Sequence, residues 1–150
     1  MNIASPAFQH EGMIPSEYTC EGENINPALI FSDVPKNAKS LVLIMEDPDV
    51  PKHLRADGMW NHWVVFNIPP DTKGVGKNQE PQGVEGITTS KKLKYGGPCP
   101  PDREHRYFFK LYALDVMLAL KEGSTKEQVI EAIKGHVLAE AVLMGKYQRK

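Results

Sequence analysis

Apolar residues along this chain gather mostly in short runs of strand length rather than at helical spacing. Residues 40–46 (S-L-V-L-I-M-E) form a near-continuous apolar run, the pattern of a strand covered on both faces. Asp47-Pro48-Asp49-Val50-Pro51 follows, and its two prolines stop the sheet ladder there. A second run, 62–68 (H-W-V-V-F-N-I), closes at Pro69-Pro70. Simple alternation puts His62, Val64, Phe66 and Ile68 on one face and Trp63 and Val65 on the other. Residues 95–115 open with glycines and prolines that no helix or central strand accepts. They continue as an aromatic-rich run that predicts a buried strand. At the junction His105 and Tyr107 stand two positions apart, so a strand shows both on one face, with Phe109 and Leu111 behind them.

The remaining stretches are weaker. Residues 6–37 hold many turn formers and leave room only for short extended pieces such as 28–31. Residues 71–94 are polar and glycine-containing, with lysines at 73, 77, 91, 92 and 94, and predict a long surface excursion. One helix is expected: Ser124 and Glu127 have capping-box spacing, Val129, Ile130, Ile133 and Val137 form an apolar stripe, and Gly135 suits its end. Residues 138–147 fit either a continued helix or a last strand. No repeat or linker divides the chain, so a single domain spanning 1–150 is expected. It should be mainly β, with an antiparallel sheet or sandwich, because regular helices do not alternate with the strands.

Composition narrows the function classes. Apolar and charged fractions of 41% and 25% are those of an ordinary soluble domain. A net charge of -1 argues against a nucleic-acid partner. No apolar run is long enough to span a bilayer and no leader pattern is visible, so a cytoplasmic protein without integral membrane association is expected. The two cysteines, Cys20 and Cys99, lie far apart and are expected as reduced thiols in that setting.

Ionisable groups stand where apolar strands meet proline-rich turns: Asp47 and Asp49, His62, and the His105/Tyr107 pair. Each has an ordinary explanation. Asp-Pro-Asp is turn chemistry, His62 fits a core histidine with one hydrogen bond, and His105-Arg106 fits a solvated loop end. Asp47, at a strand end before proline, is expected to be incompletely buried. No G-x-S-x-G and no phosphate-cradling P-loop occurs, so no enzyme, no cofactor and no bound metal are expected. Two histidines with an aspartate are nonetheless a metal-ligand set, which keeps a metal-assisted hydrolase as the alternative.

Taken together, Tyr18-Thr19-Cys20-Glu21-Gly22 with Asn24 and Asn26-Pro27, the run from Met45 to Pro51, His62 to Pro69, the Tyr95–Pro101 segment, His105-Arg106-Tyr107 and the terminal Tyr147-Gln148-Arg149 resemble the phosphatidylethanolamine-binding proteins. That family includes the Raf kinase inhibitor protein, and the likeness is strongest to its bacterial and archaeal branch. The resemblance implies a central antiparallel sheet packed on a smaller sheet, with helical cover near the C-terminus and a strand over 138–147. It implies a pocket for small anions and phosphorylated head groups made by Asp47, Asp49, His62, His105 and Tyr107, with a rim running from Cys99 to Pro101. Here Asp102-Arg103-Glu104 lacks the glycine usual in relatives, and Phe31 stands where they carry Trp.

In such a pocket each aspartate is expected to orient a histidine and raise its pKa, so that imidazolium faces the anion; alternatively, one aspartate shares a proton with the ligand's own oxygen. Sulfate binding would then weaken as pH rises through about 7. The partners this implies are a small anion or phosphorylated molecule and, through the family, a protein kinase; a homodimer is the assembly to test.

Overall fold

The computed structural model describes residues 1–150. The chain runs through β1 (Asn2–Ala4), a 3-10 turn (Ser16–Tyr18), β2 (Leu29–Ser32), β3 (Ser40–Asp47) and β4 (Trp60–Ile68). It continues with β5 (Gly74–Val75), β6 (Val84–Glu85), β7 (His105–Leu114), α1 (Lys126–Ile133) and β8 (Val137–Tyr147). Five strands form one sheet in the order β6-β4-β3-β7-β8, and three form a small sheet in the order β1-β2-β5. All pairings between these strands are antiparallel.

β3 sits at the centre of the large sheet, and every one of its residues is buried. That explains its unbroken apolar run: the two faces feed two different cores. Leu41, Leu43 and Met45 pack with Phe109, Leu111 and the small sheet's Ile3, Leu29 and Phe31. Val42 and Ile44 face the other way, toward Val129 and Ile133 of the helix. The fold is therefore three layers, small sheet on large sheet on helix. No helix is long and apolar enough to cross a membrane.

Strand β4 departs from simple alternation at both ends. Opposite β3 the register slips between Leu41↔Ile68 and Leu43↔Val65, and again between Met45↔Trp63 and Glu46↔Asn61. Each slip inserts one extra residue into β4, which re-aims the side chains beyond it. At the first, Asn67 takes φ 54°, and its amide group exchanges hydrogen bonds with the Leu118 backbone. Ile68 therefore joins Trp63 and Val65 in the inter-sheet core, not Val64 and Phe66 as alternation predicts. At the second, His62 is the inserted residue and its ring packs edge-on to Tyr107, 5.3 Å between centroids.

Other expectations also need correction. The 71–94 excursion is not structureless, since it supplies β5 to one sheet and β6 to the other. The capping box belongs to Thr125 and Gln128, one residue later than predicted; Ser124 instead donates its hydroxyl to Lys121 O at 2.7 Å. Residues 138–147 belong to β8, as the family resemblance implied.

Cys20 and Cys99 are not free thiols but a disulfide, with Cα atoms 5.4 Å apart and a sequence separation of 79. The fold lays the 95–101 loop directly on the 18–24 segment, which sequence distance conceals. Closing a loop of that length is worth about 4.5 kcal/mol on the chain-entropy account.

Candidate ligand pocket

The loop after β3, the bulged start of β4, the start of β7 and the 95–101 loop converge on one hollow of about 390 Å³. Several contacts clamp that loop in place. Tyr95 donates its hydroxyl to Tyr18 O at 2.7 Å, Gly97 N–H donates to Asn24 Oδ1 at 2.7 Å, and Arg149 Nε donates to Pro100 O at 2.8 Å. Gly97 has no substitute here, because a Cβ would lie 2.2 Å from Tyr18 O. The disulfide and three prolines complete a rim that loses little entropy when a ligand arrives.

Of the residues the sequence singles out, Asp47, His62, Cys99, Pro101, His105 and Tyr107 all line this hollow. Asp49 does not. It turns outward and takes three hydrogen bonds from Arg106, at 2.8–2.9 Å, from the backbone N–H, Nε and Nη2. That pairing holds its carboxyl below the usual range against a partial burial that opposes it. Cys20, Asn24, Val50, Leu54, Trp60, Ser90, Gly96 and Gly97 also line the hollow and were not among the predicted residues. Trp60, two positions before His62, was visible as an aromatic at the strand's start. Cys20 and Asn24 were visible only as part of the family resemblance.

Asp47 is deeply buried, at 3% exposure, contrary to the expectation for a strand end. The cause is its position between β4 and β7 in the middle of the sheet. Both its oxygens are occupied: Oδ1 accepts from Asp49 N–H at 2.7 Å, and Oδ2 faces His105 Nδ1 at 2.6 Å. Burial pushes the Asp47 carboxyl up, and the His105 contact only partly offsets it. His105 is fully buried, and its other nitrogen, Nε2, lies 2.7 Å from Asp102 Oδ1. A ring held between two carboxylates donates from both nitrogens as imidazolium, or shares its proton with Asp47. Either way, His105 has no free donor for a ligand.

His62 behaves oppositely. No carboxylate contacts it; Nδ1 lies 2.8 Å from the carbonyl oxygen of Gly96, which can only accept. The proton is therefore on Nδ1, and Nε2 carries a lone pair, has no protein partner and opens onto the hollow. Burial lowers the His62 pKa to about 4; the Gly96 contact opposes the fall and the His105 charge adds to it. The expected pair of ligand-facing imidazoliums is thus not formed. One histidine is neutral and the other is committed to carboxylates. For the same reason the two histidines and Asp47 do not converge as a metal-ligand set, and no cluster of His, Cys, Asp or Glu elsewhere does.

The Tyr107 hydroxyl is buried at the wall of the hollow with nothing to accept its proton, and the Cys99 backbone N–H lies near it. Burial, with Asp47 nearby, raises the phenol pKa, so it remains a donor. Val50, Leu54 and Trp60 give the hollow an apolar side, and no lysine or arginine lines it. Hollows of about 410 and 490 Å³ along the turns at 31–38 and 71–82 are lined by no residue with an unpaired buried polar atom.

Comparison with known proteins agrees with this architecture. The phosphatidylethanolamine-binding protein family profile matches residues 4–148. A UPF0098 protein of Methanothermobacter thermautotrophicus is 52% identical over 155 residues, with 99% of each chain covered. One from Chlamydia trachomatis is 50% identical over 149 residues, again with 99% of each covered. Among solved structures, a putative phosphatidylethanolamine-binding protein homolog from C. trachomatis superposes with a TM-score of 0.96 at 49% identity, covering 99% of this chain and 97% of that one. E. coli YbcL, described as a new member of the mammalian family, superposes at 0.89 with 27% identity, covering 99% and 98%.

Proposed function

The chain belongs to the phosphatidylethanolamine-binding protein family, and on that basis we propose that its hollow is a non-enzymatic binding site for small phosphorylated molecules. The observation that carries this reading is the Tyr107 hydroxyl, a buried donor with no partner in the protein. An unpaired buried hydroxyl costs about 1–3 kcal/mol, so such groups are kept where something else completes them. An oxyanion oxygen set between Tyr107 and the nearby Cys99 N–H would do so. The volume of about 390 Å³ suits a small ligand, with Val50, Leu54 and Trp60 to cover its apolar part. No activated nucleophile stands by: His62 has no hydroxyl or thiol bonded to its free nitrogen, and both cysteines are in the disulfide.

Phenyl phosphate is a suitable probe, titrated calorimetrically at pH 5.0 against the wild type and Tyr107→Phe. The substitution keeps the ring and its packing, so stability should hold or rise slightly while affinity falls about tenfold. Wild-type and variant protein binding with equal affinity would remove Tyr107 from the site. Release of phenol at a rate that His62→Ala abolishes would make the protein a hydrolase instead.

A further inference from the structure

Resting on that reading, we propose that the pocket selects phosphomonoesters in their singly protonated form, the P–OH group donating to His62 Nε2 while a second phosphoryl oxygen accepts from Tyr107. The pocket offers a ligand one unpaired acceptor, on His62, against several donors without a protein partner: the Tyr107 hydroxyl and the Asn24 Nδ2 and Trp60 Nε1 groups that also line it. Tyr107 is a donor. His62 is an acceptor, because its Nδ1–H is spent on the Gly96 carbonyl at 2.8 Å. A carbonyl cannot donate, so flipping the tautomer would set two lone pairs against each other.

The groups packed around His62 do not change this. Asp47 on β3 and His105 on β7 face one another at 2.6 Å, and Asp102 takes the remaining His105 nitrogen at 2.7 Å. Asp49 and Arg106 are paired outside the hollow. Gly96, Ser90 and the disulfide make up the nearby rim. No free cation is present to welcome a dianion, and the buried carboxyl of Asp47 works against one. A ligand completing both His62 and the donors must bring one acidic proton and unprotonated oxygen.

A phosphate monoester below its second pKa meets that demand. A sulfate ester and a phosphodiester do not: each is a monoanion of similar shape, but every terminal oxygen accepts. They would bring a lone pair against the Nε2 lone pair and leave both unpaired, with a loss of about tenfold or more. The inference therefore separates this pocket from one that grips the diester of an intact phospholipid.

The test is calorimetry on the intact protein at pH 5.0 and 8.0 with phenyl phosphate, methyl phenyl phosphate and phenyl sulfate. At pH 5.0 phenyl phosphate should bind at least about tenfold more tightly than the other two. With a second pKa of about 6, its monoanion falls from ~90% to ~1% of the total between the two pH values, so affinity should drop about ninety-fold. Phenyl sulfate keeps its charge throughout and reports any titration of the protein itself. Equal binding of the three probes at pH 5.0 overturns the proton-selection idea and leaves the anion pocket standing. So does phenyl phosphate binding that is as strong at pH 8.0. Absence of binding by all three removes the pocket reading itself, and this inference with it. Independently, ¹⁵N NMR of the free protein at pH 7 should show His62 protonated at Nδ1 only; a proton on Nε2 would overturn the proposal.

Discussion

Glu46 and Asp47 are consecutive residues at the end of β3, each 3% exposed, and their carboxylates are treated in opposite ways. Glu46 points to the helix side of the sheet, where Lys110 reaches it at 2.7 Å and Lys126 of α1 closes on its other oxygen. Asp47 points to the pocket side, where its partner is a histidine that it shares with Asp102. Burial pushes both carboxyls up. Two permanent cations overcome that for Glu46 and leave it below its ordinary value, whereas for Asp47 the rise survives. The difference is one of partner, not of depth. A lysine keeps its charge across the working pH range, while a histidine can pass its proton along. The first arrangement locks a helix onto a sheet; the second leaves a carboxyl with a raised pKa at the wall of a cavity.

The largest effect expected from this comparison is on the Glu46 side. Glu46→Gln leaves two lysines facing a neutral amide, and Lys126 is mostly buried. The cost should be about 3 kcal/mol in urea unfolding, the lower end for a broken buried pair because Lys110 is 33% exposed. Phenyl phosphate binding should stay within twofold, since Glu46 does not line the pocket. Asp47→Asn should give the reverse: a stability loss of roughly 1 kcal/mol, with phenyl phosphate affinity reduced about tenfold as His105, stacked on Tyr107, loses its anchor and lets the Tyr107 donor shift. If Asp47→Asn were the more destabilising of the two, the division between a structural and a functional carboxylate would collapse.

How far this division could be read in the sequence depends on the kind of information each part needs. β3 and β7 were legible because an eight-residue buried run and an alternating aromatic run need only local pattern. The side to which His62 turns was not. It follows from where β4 slips against β3, a property of two strands at once. Asp49 stands two residues from Asp47 and read as its equal, yet its partner Arg106 lies 57 residues away and outside the pocket. Family resemblance supplied the residues that gather at the hollow. It could not say that His105 is already saturated by Asp47 and Asp102, or that His62 spends its proton on Gly96. Occupancy of hydrogen-bonding groups is decided by sub-ångström placement, which residue identity does not carry.

A subtler expectation concerns pH. Glu46 has a depressed folded-state pKa, so its contribution to stability is present above the unfolded value of 4.5 and is lost as pH falls through the folded one. Asp47 has a raised pKa, so ionising it costs stability as pH climbs from the unfolded value of 3.8 through the folded one. The penalty for Glu46→Gln should therefore grow as pH rises across the acid range, and that for Asp47→Asn should shrink. Urea unfolding of the wild type and both variants between pH 3.5 and 7 reads this directly. Parallel trends for the two variants would mean that the carboxyls share one electrostatic environment after all.

The smallest effect belongs to the third carboxylate of the segment. Asp49 holds Arg106 through its side chain and backbone, but the arginine is 52% exposed, so solvent weakens the pair. Exposed ion pairs contribute about 0–1 kcal/mol. Asp49→Asn keeps an acceptor for the Arg106 backbone N–H and leaves the Asp49 N–H free to donate to Asp47 as before. Its stability cost should lie within about 1 kcal/mol, and phenyl phosphate affinity should change by less than about twofold. The measurement separates two ways in which Asp49 relates to the pocket. As a neighbour that merely closes the outer face of the turn, it can be neutralised without consequence. If instead affinity falls tenfold while stability holds, the turn from Asp47 to Asp49 transmits the change. Asp47 would then owe its position to the outer ion pair, and the line between the structural and the functional carboxylate would fall between Glu46 and a coupled Asp47–Asp49 unit.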